Sequence, residues 1–313
     1  MTSIRFPQGL LARPAALEDL DAVVGLYSSG ETVDRGKPET TKADIAGGWG
    51  MPDFDLDSQS LLVLDGDIPV AYAEILNWRA DAIVHPDRRG AGIGRALVEW
   101  TEKATVATWR DNGEIRIGQT IIDSNTGARE LFSELGYAPR HTSWAFRLPD
   151  TVQLDEEPLP GGYELAVADL PDQARPIYRV IEDAFNEWPN RKPTSYESWR
   201  GMTLDRPDFD PSLLFVTTLD DRVVGAAVGL LYPDEGWVHQ IAVEKGHRGR
   251  GLATALLTRS FNEMRRRGLP EVGLSTDSRT GALDLYLNLG MVVRQSYTHY
   301  SKLLGVAPGE STK

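Results

Sequence analysis

The chain has 313 residues, a formal net charge of −13 and no cysteine, and its length predicts two domains, because one domain has roughly 150 residues. The negative charge argues against a nucleic-acid partner, and the lack of cysteine excludes disulfides, thiolate metal sites and acyl-cysteine enzymes. No stretch approaches the roughly 20 apolar residues of a membrane span, and no secretory signal pattern opens the chain; we therefore expect a cytoplasmic protein without a membrane partner.

The first half of the chain contains a glycine-rich segment between a strand and a helix. Two strand-like runs separated by a turn occupy 60–76, and the extended run NWRADAIVHPDR follows at 77–88. The segment RGAGIG, residues 89–94, comes next and opens an amphipathic helix, because apolar residues recur after it at helical spacing. A strand at 114–122 and a helix at 125–137, stopped by glycine, complete this half.

The second half repeats this order after a linker. Residues 149–162, PDTVQLDEEPLPGG in the sequence, are rich in proline, glycine and acidic residues, which is typical of a linker. Beyond the linker, RGRGLA at 248–253 again follows a strand-like run and opens a helix. This helix ends in Arg265, Arg266 and Arg267, cations that favour the last turn of a helix. We therefore predict two copies of one domain, at 1–148 and 163–313.

The glycine loops are candidates for phosphate binding. A helix N-terminus presents unpaired N–H groups and partial positive charge, and glycine lets an anion approach the backbone. A P-loop would need Gly-Lys-Ser/Thr, which neither copy has. A dinucleotide fold would need an acid at the end of the next strand, whereas Glu114 and Glu271 begin theirs. Neither of these two kinds of phosphate site fits, and two plain glycine turns are the remaining alternative.

Both loops resemble the Arg/Gln-x-x-Gly-x-Gly/Ala loop of the GCN5-related N-acetyltransferases, the GNAT superfamily, and the resemblance covers nearly the whole chain. It implies an α/β fold with two tandem GNAT domains, each a mixed, mainly antiparallel central sheet flanked by helices. It also implies that acetyl-coenzyme A (acetyl-CoA) is the cofactor. The cofactor contacts it implies are Val84, Arg89, Gly90, Ala91, Gly92, Ile93, Gly94, Arg95 and Asn125 in the first copy, and Ile241, Ala242, Val243, Arg248, Gly249, Arg250, Gly251, Leu252, Ala253, Thr254 and Arg279 in the second.

The two copies differ at the position where the family carries a tyrosine that protonates the departing thiolate. The second copy has Tyr286 there and the first has Phe132, which lacks the hydroxyl. The first copy keeps Asn125, an asparagine that often contacts coenzyme A in the family, whereas the second has Arg279. We therefore expect the second domain to be catalytic and the first to be degenerate or structural. A tyrosine packed only for its ring is the alternative for Tyr286.

The resemblance places the donor to the thioester carbonyl among the backbone N–H groups of 241–243. It also draws the general base from the same strand, which must deprotonate the incoming amine. Strand alternation predicts that Glu235, Trp237, His239 and Ile241 share one side. His239 and Glu235 are both candidate bases, the imidazole because its ordinary pKa lies near 6.5 and the carboxylate acting through water.

Substrate contacts are expected from residues 182–202 of the second copy. Three aromatic and three acidic side chains there, able to line a pocket and attract an amine, are Trp188, Tyr196, Trp199, Glu182, Asp183 and Glu187. The plainer interpretation is a pair of amphipathic helices whose aromatic residues fill the core.

Two functional hypotheses follow. The first is an enzyme that transfers the acetyl group from acetyl-CoA to a small-molecule amine by direct attack in a ternary complex. The second is a non-catalytic acyl-CoA-binding or regulatory protein. We expect a monomer or homodimer with no metal site.

Overall fold

The computed structural model describes residues 4, 6–51, 53–76, 78–110, 113–170, 172–188 and 191–306. The strands are β1 (Leu10–Arg13), β2 (Ser60–Asp65), β3 (Ile68–Leu76), β4 (Arg79–Val84), β5 (Glu114–Ile122), β6 (Ala138–Arg147), β7 (Tyr163–Val167), β8 (Leu214–Leu219), β9 (Arg222–Leu231), β10 (Glu235–Val243), β11 (Glu271–Asp277) and β12 (Val292–Val306). The helices are α1 (Leu20–Arg35), α2 (Lys42–Trp49), α3 (Leu56–Gln59), α4 (Ile93–Thr108), α5 (Thr126–Glu134), α6 (Ala174–Phe185), α7 (Tyr196–Thr203), α8 (Leu252–Arg266) and α9 (Leu283–Asn288).

The chain divides into two units, and each has the predicted α/β architecture. The first unit comprises residues 1–142 and 295–313, and the second comprises 143–294. Strand order is β1-β2-β3-β4-β5-β12 in the first unit and β6-β11-β10-β9-β8-β7 in the second. The strands pair antiparallel, except that β4–β5 and β10–β11 are parallel. The prediction of a mixed, mainly antiparallel sheet is confirmed.

The units exchange their last strands. Residues 297–306 of β12, from the end of the chain, pair with β5 in the first unit. Residues 143–147 of β6 pair with β11 in the second unit. The predicted boundaries at 148 and 163 follow the sequence repeat, whereas the units in space take one strand each from the other half of the sequence.

Each sheet is covered by helices on both faces. In the first unit α1 and α2 bury Val23, Leu26 and Trp49 against one face, and α4 buries Ile93 and Leu97 against the other. In the second unit α6 and α7 cover one face and α8 and α9 the other. Since both faces are apolar, the central strands read as continuous hydrophobic runs rather than as alternating ones.

Local sequence signals fix several helix ends. Thr41 and Asp44 form a capping box at the start of α2, and Ser195 caps α7 by accepting from the Ser198 N–H. Gly36 ends α1 with a left-handed φ of 85°. No helix in the described parts of the chain is both long and apolar enough to cross a membrane.

Arg265, one of the three cations expected in the last turn of α8, binds the linker. Its guanidinium donates to the carbonyls of Leu148, Pro149 and Val152, at 3.3, 2.9 and 2.6 Å. Arg266 remains exposed and pairs with Glu263. The last turn of α8 therefore anchors the start of the linker.

Candidate active site

The two glycine loops have the same backbone conformation. Arg89 and Arg248 are extended, with φ/ψ of −66°/153° and −68°/161°. Each is followed by two glycines in the left-handed region, with φ of 78° and 85° at Gly90 and Gly92, and 74° and 78° at Gly249 and Gly251. Because L side chains rarely adopt this region, glycine is required at all four positions.

The space in front of the loops is open. A Cβ atom added to Gly90, Gly249 or Gly251 would meet no atom within 4 Å. Gly92 and Gly251 are the N-caps of α4 and α8, so the first N–H groups of both helices face this space without intrahelical partners. A pyrophosphate fits such a site, since it needs close backbone approach and the positive end of a helix.

The residues after the glycines hold the helices in place. Ile93 and Leu252 begin α4 and α8 with their side chains fully buried. Gly94 lets Leu131 approach, because a Cβ there would lie 3.4 Å from the Leu131 side chain. Ala253 and Thr254 are half-buried in the first turn of α8.

The predicted arginine ligands are engaged with protein groups. Arg89 forms a bidentate ion pair with Asp34 at 2.7 and 2.8 Å, and Arg248 forms one with Glu187 at 2.9 Å. Arg95 pairs with Glu134. The ion pairs of Arg89 and Arg248 tie each loop to residues at or just beyond the end of the first helix of its unit, so at these two positions the backbone rather than the arginine side chain is left to hold a phosphate.

Arg250 has no counterpart in the first loop, where Ala91 stands. Its guanidinium donates to the Tyr163 hydroxyl at 2.9 Å, and that hydroxyl also bonds Nδ1 of His247 at 2.7 Å. Arg250 itself is exposed. The second loop therefore carries a cation at its surface that the first lacks.

Beside each loop the two parallel strands separate. β10 and β11 pair from Glu235/Glu271 to Val238/Leu274 and, in the described residues, no further. Among the residues that the structure describes, β4 and β5 pair at Arg79/Gly118 alone. The last residues of β10, Ile241 to Val243, and of β4, ending at Val84, therefore have one backbone edge free toward the gap, as a donor to a thioester carbonyl requires.

Tyr286 lies on α9. Its ring packs on Phe146, and its hydroxyl lies near Thr276, a residue of β11 that pairs with β6 but lies beyond the residues of β11 that pair with β10. Burial raises the pKa of Tyr286 to about 12, and the Thr276 side chain opposes this shift. The hydroxyl is therefore protonated at neutral pH, the state that a proton donor needs. The equivalent Phe132 packs on Tyr137 and Tyr300.

Asn125 and Arg279 make different contacts. Asn125 caps α5 by accepting from the Ala128 N–H at 3.1 Å. Arg279 bonds the carboxylate of Asp277 and lies over the Trp188 ring, 5.1 Å from its centre. The two side chains thus occupy matching positions in sequence but stabilise their units in different ways.

The predicted alternation along β10 is wrong, because a β-bulge interrupts the strand. Its register against β9 shifts between Val238 and Gln240, so His239 is the inserted residue. Trp237 therefore lies over Gly273, whereas Ile241 packs into the core beneath α8.

The two candidate bases have different surroundings. His239 is exposed, and desolvation together with Arg206 lowers its pKa, while Asp208 opposes this. Glu235 forms an ion pair with Arg294 at 2.8 Å, and its side chain is 13% exposed. Because the carboxylate of Glu235 is already neutralised, His239 is the better placed to accept a proton.

The acids expected to attract an amine in 182–202 are largely used by the protein itself. Glu182 is buried and accepts from Arg191 and from the Thr194 N–H, while Glu187 holds Arg248. Trp199 is buried, and its Nε1 donates to Gln240 at 3.0 Å. These contacts favour the plainer interpretation, in which the helices are structural and their aromatic residues fill the core. Among the described residues no group of three or more His, Asp or Glu could hold a metal ion.

A tryptophan that is repeated in the two units was not predicted to matter. The ring of Trp237 covers Gly273, and the ring of Trp78 covers Gly118, each so closely that a Cβ on the glycine would lie 2.8 Å from it. Aligning the two loops would have matched the tryptophans, but only the strand pairing shows which glycines lie beneath them.

Comparison with known proteins gives the same architecture. The sequence model of the Acetyltransferase (GNAT) family matches residues 27–137 and 175–291. Mycothiol acetyltransferase from Nocardia farcinica is 31% identical over 292 residues, which cover 87% of this chain and 90% of that protein. The same enzyme from Thermomonospora curvata is 29% identical over 242 residues, or 74% and 78% of the two chains.

Two solved structures have the same fold. A GCN5-related N-acetyltransferase from Sphaerobacter thermophilus is 28% identical with a TM-score of 0.82, covering 99% of this chain and 100% of that one. A tandem GNAT protein from the clavulanic acid biosynthesis pathway has a TM-score of 0.72 at 17% identity, covering 96% and 100%. The likeness of that tandem protein concerns the fold alone.

Proposed function

The chain belongs to the GNAT acetyltransferase family, and from this premise we propose that its second unit transfers the acetyl group of acetyl-CoA to the amine of a small molecule. The family makes the chain an acetyltransferase with acetyl-CoA as its acetyl donor. What we propose beyond this is that the second unit is the catalytic one and that its residues have the roles given below. The observation that carries it is the Tyr286 hydroxyl, which is protonated and lies near Thr276, where β11 no longer pairs with β10.

Each group has one task in this reaction. The backbone of Gly249 to Thr254 holds the pyrophosphate, and N–H groups of Ile241 to Val243 bind the thioester oxygen. His239 accepts the proton that leaves the ammonium group, and its lowered pKa keeps the imidazole neutral at pH 7. Tyr286 donates to the departing sulfur. The amine attacks directly, with both substrates bound.

Two measurements distinguish an enzyme from a non-catalytic binding protein. Calorimetry with acetyl-CoA measures binding, and release of free thiol across a panel of small amines measures transfer. We expect both, with release abolished when the amine is omitted. Binding without release for any amine would support a non-catalytic acyl-CoA-binding or regulatory protein instead.

A further inference from the structure

A chain of hydrogen-bonded side chains holds Arg250 beside the second glycine loop. The Arg250 guanidinium donates to the Tyr163 hydroxyl at 2.9 Å, and that hydroxyl also bonds Nδ1 of His247 at 2.7 Å. Nε2 of His247 lies 2.9 Å from the guanidinium of Arg222. Since Tyr163 and Arg222 are the first residues of β7 and β9, two strands of the second unit fix the chain in place.

The direction of each bond follows from what the groups can donate and accept. A guanidinium only donates, so Nε2 of His247 must accept from Arg222. A ring nitrogen that accepts carries no proton, so the proton of the neutral imidazole lies on Nδ1 and is donated to Tyr163. The Tyr163 oxygen therefore accepts from both His247 and Arg250. His247 orients the hydroxyl, and the hydroxyl orients the guanidinium.

Arg250 differs from the other arginines at the two loops because it has no acidic partner. Those that pair with a carboxylate are Arg88, Arg89, Arg95 and Arg248. Among the residues that the structure describes, Arg250 forms no ion pair, and it is exposed. The carboxylate of Glu244, which lies near the same chain of side chains, is bound by Arg222 at 2.8 Å. The positive charge of Arg250 is therefore available to an anionic ligand.

Arg250 stands between the two glycines that shape the loop. Gly249 and Gly251 have φ of 74° and 78°, and a Cβ atom on either would meet no atom within 4 Å. The first N–H groups of α8 face the same open space. An anion held against this backbone is at most about one arginine side chain away from the guanidinium, which binds phosphate oxygens through paired hydrogen bonds.

The first loop has the same backbone conformation but none of these side chains. Where the second unit has Tyr163, His247 and Arg250, the first has Leu10, Arg88 and Ala91. Leu10 and Tyr163 correspond because each is the Cα partner of the last residue of the next strand in the chain. The other two positions correspond when the loops are aligned. The two loops therefore differ in the side chains around them and not in their backbone.

We propose that Arg250 binds a phosphate group of acetyl-CoA, and that Tyr163 and His247 are positioning residues that hold its guanidinium at the loop. The second unit then binds the coenzyme more tightly than the first. The inference rests on the proposed function in one respect, which is that the second loop is a coenzyme site. It does not depend on Tyr286, on His239 or on any transfer of the acetyl group.

The positioning residues matter because they hold a long side chain in advance. An arginine on a surface loop loses rotamer freedom when it binds an anion, and this loss weakens binding. Tyr163 is only 8% exposed and its side chain belongs to the core of the second unit, so its hydroxyl has a fixed position. A guanidinium bonded to that hydroxyl has lost part of its freedom before the ligand binds. Removal of the hydroxyl should therefore weaken binding even if the hydroxyl does not contact the coenzyme.

Calorimetry with coenzyme A tests this in the full chain without any transfer reaction. Gly92→Glu is the parent protein, so that binding at the second loop is measured alone. We expect Arg250→Ala to weaken binding about tenfold, as loss of a charge-assisted hydrogen bond does, and Tyr163→Phe to weaken it about threefold through lost preorganisation. Arg259→Ala is the control, because it removes the same charge from α8, where Arg259 pairs with Glu156, and it should change the affinity less than about twofold. In the wild-type chain the same substitutions should affect the tighter site.

A double-mutant cycle distinguishes positioning from a general loss of stability. Tyr163→Phe in the Arg250→Ala protein should weaken binding no further, because the hydroxyl then has no guanidinium to hold. His247→Ala should act as Tyr163→Phe does. His247→Asn keeps an N–H donor near the place of Nδ1 and should retain most of the affinity.

Two results would overturn the proposal. Equal affinity of Arg250→Ala and Arg259→Ala would show that Arg250 binds no phosphate. A loss that Tyr163→Phe causes equally with and without Arg250 would show that the tyrosine only stabilises the fold. Thiol release with the panel of amines is measured on the same proteins; its absence would contradict the proposed function, while the binding data would still decide the role of Arg250.

Discussion

Tyr286 and Phe132 differ by a single oxygen atom, and the surroundings of the two rings determine what that atom can do. Both rings are buried against aromatic neighbours, so packing alone does not distinguish them. The Tyr286 hydroxyl lies near Thr276, in the part of β11 that still pairs with β6 but no longer with β10. A hydroxyl placed there can act on a leaving group in the gap, which a ring buried only for packing could not.

His239 gives a pH dependence with a defined sign. A base must be neutral to accept a proton, and the structure lowers the pKa of this imidazole below its ordinary value of 6.5. The rising limb of kcat/KM against pH should therefore have its midpoint below 6.5, so activity persists into mildly acidic solution. His239→Gln should remove this limb and lower kcat/KM by about 10²- to 10⁴-fold.

Glu235→Gln is the control for the His239 prediction. It removes an ion pair with Arg294 but leaves the imidazole in place, so the limb should remain. If the rising limb of the pH profile disappears in Glu235→Gln and remains in His239→Gln, the carboxylate of Glu235 is the base instead of His239.

Asp81 gives a second pH effect, this time on stability. Its pKa is raised from 3.8 to about 6, with Glu74, Arg79, Arg35, Tyr27 and Tyr72 among the groups that face it. A raised acid pKa means that the unfolded chain ionises first, so stability falls as pH rises from 3.8 to about 6 and stays low above that.

Asp81→Asn should therefore stabilise the protein above pH 6 and leave its stability unchanged near pH 3.8. We expect a gain of about 1 kcal/mol, which allows for solvent screening of a carboxylate that reaches water. Urea unfolding at the two pH values measures it. A gain of equal size at both would show that the effect does not come from ionisation.

At the scale of elements, the two glycine loops make a matched pair. Gly251→Glu and Gly92→Glu each place a bulky anion where the backbone should meet a pyrophosphate, and calorimetry should show acetyl-CoA binding lost at the altered loop only. Gly251→Ala and Gly92→Ala carry the same left-handed φ strain without the charge, so they should weaken binding less. Equal affinity in the wild type and both Glu variants would exclude the loops as cofactor sites.

These loops could be predicted from sequence because their signal is local. Glycines before an amphipathic run predict a helix start, and the second copy strengthens that prediction. The partners of Arg89 and Arg248 could not be predicted, since Asp34 and Glu187 lie far away in sequence. The bulge at His239 could not be predicted either, because the position of a single inserted residue depends on the register between β10 and β9.

At the scale of the whole molecule, the repeat predicted two domains but not which strands complete them. The sequence of a strand shows which of its faces are hydrophobic but not which sheet the strand joins. From the sequence alone, β6 and β12 are therefore the last strands of their own halves. The proximity of Glu74 and Asp81 could not be predicted for a related reason. Glu74 and Asp81 are unremarkable in sequence and become neighbours only through the pairing of β3 with β4.

The measurement that tests the assignment of catalysis most directly is the rate of thiol release by Tyr286→Phe, under conditions where chemistry limits turnover. The variant keeps the ring and its packing, so we expect turnover with an acceptor of the second unit to fall about 10²- to 10⁴-fold, with a much smaller change in the KM for acetyl-CoA. Tyr137→Phe is the control, because both tyrosines are 5% exposed; it should stay within about twofold of the wild type. A Tyr286→Phe rate equal to that of Tyr137→Phe would contradict the acid role and the assignment of catalysis to the second unit.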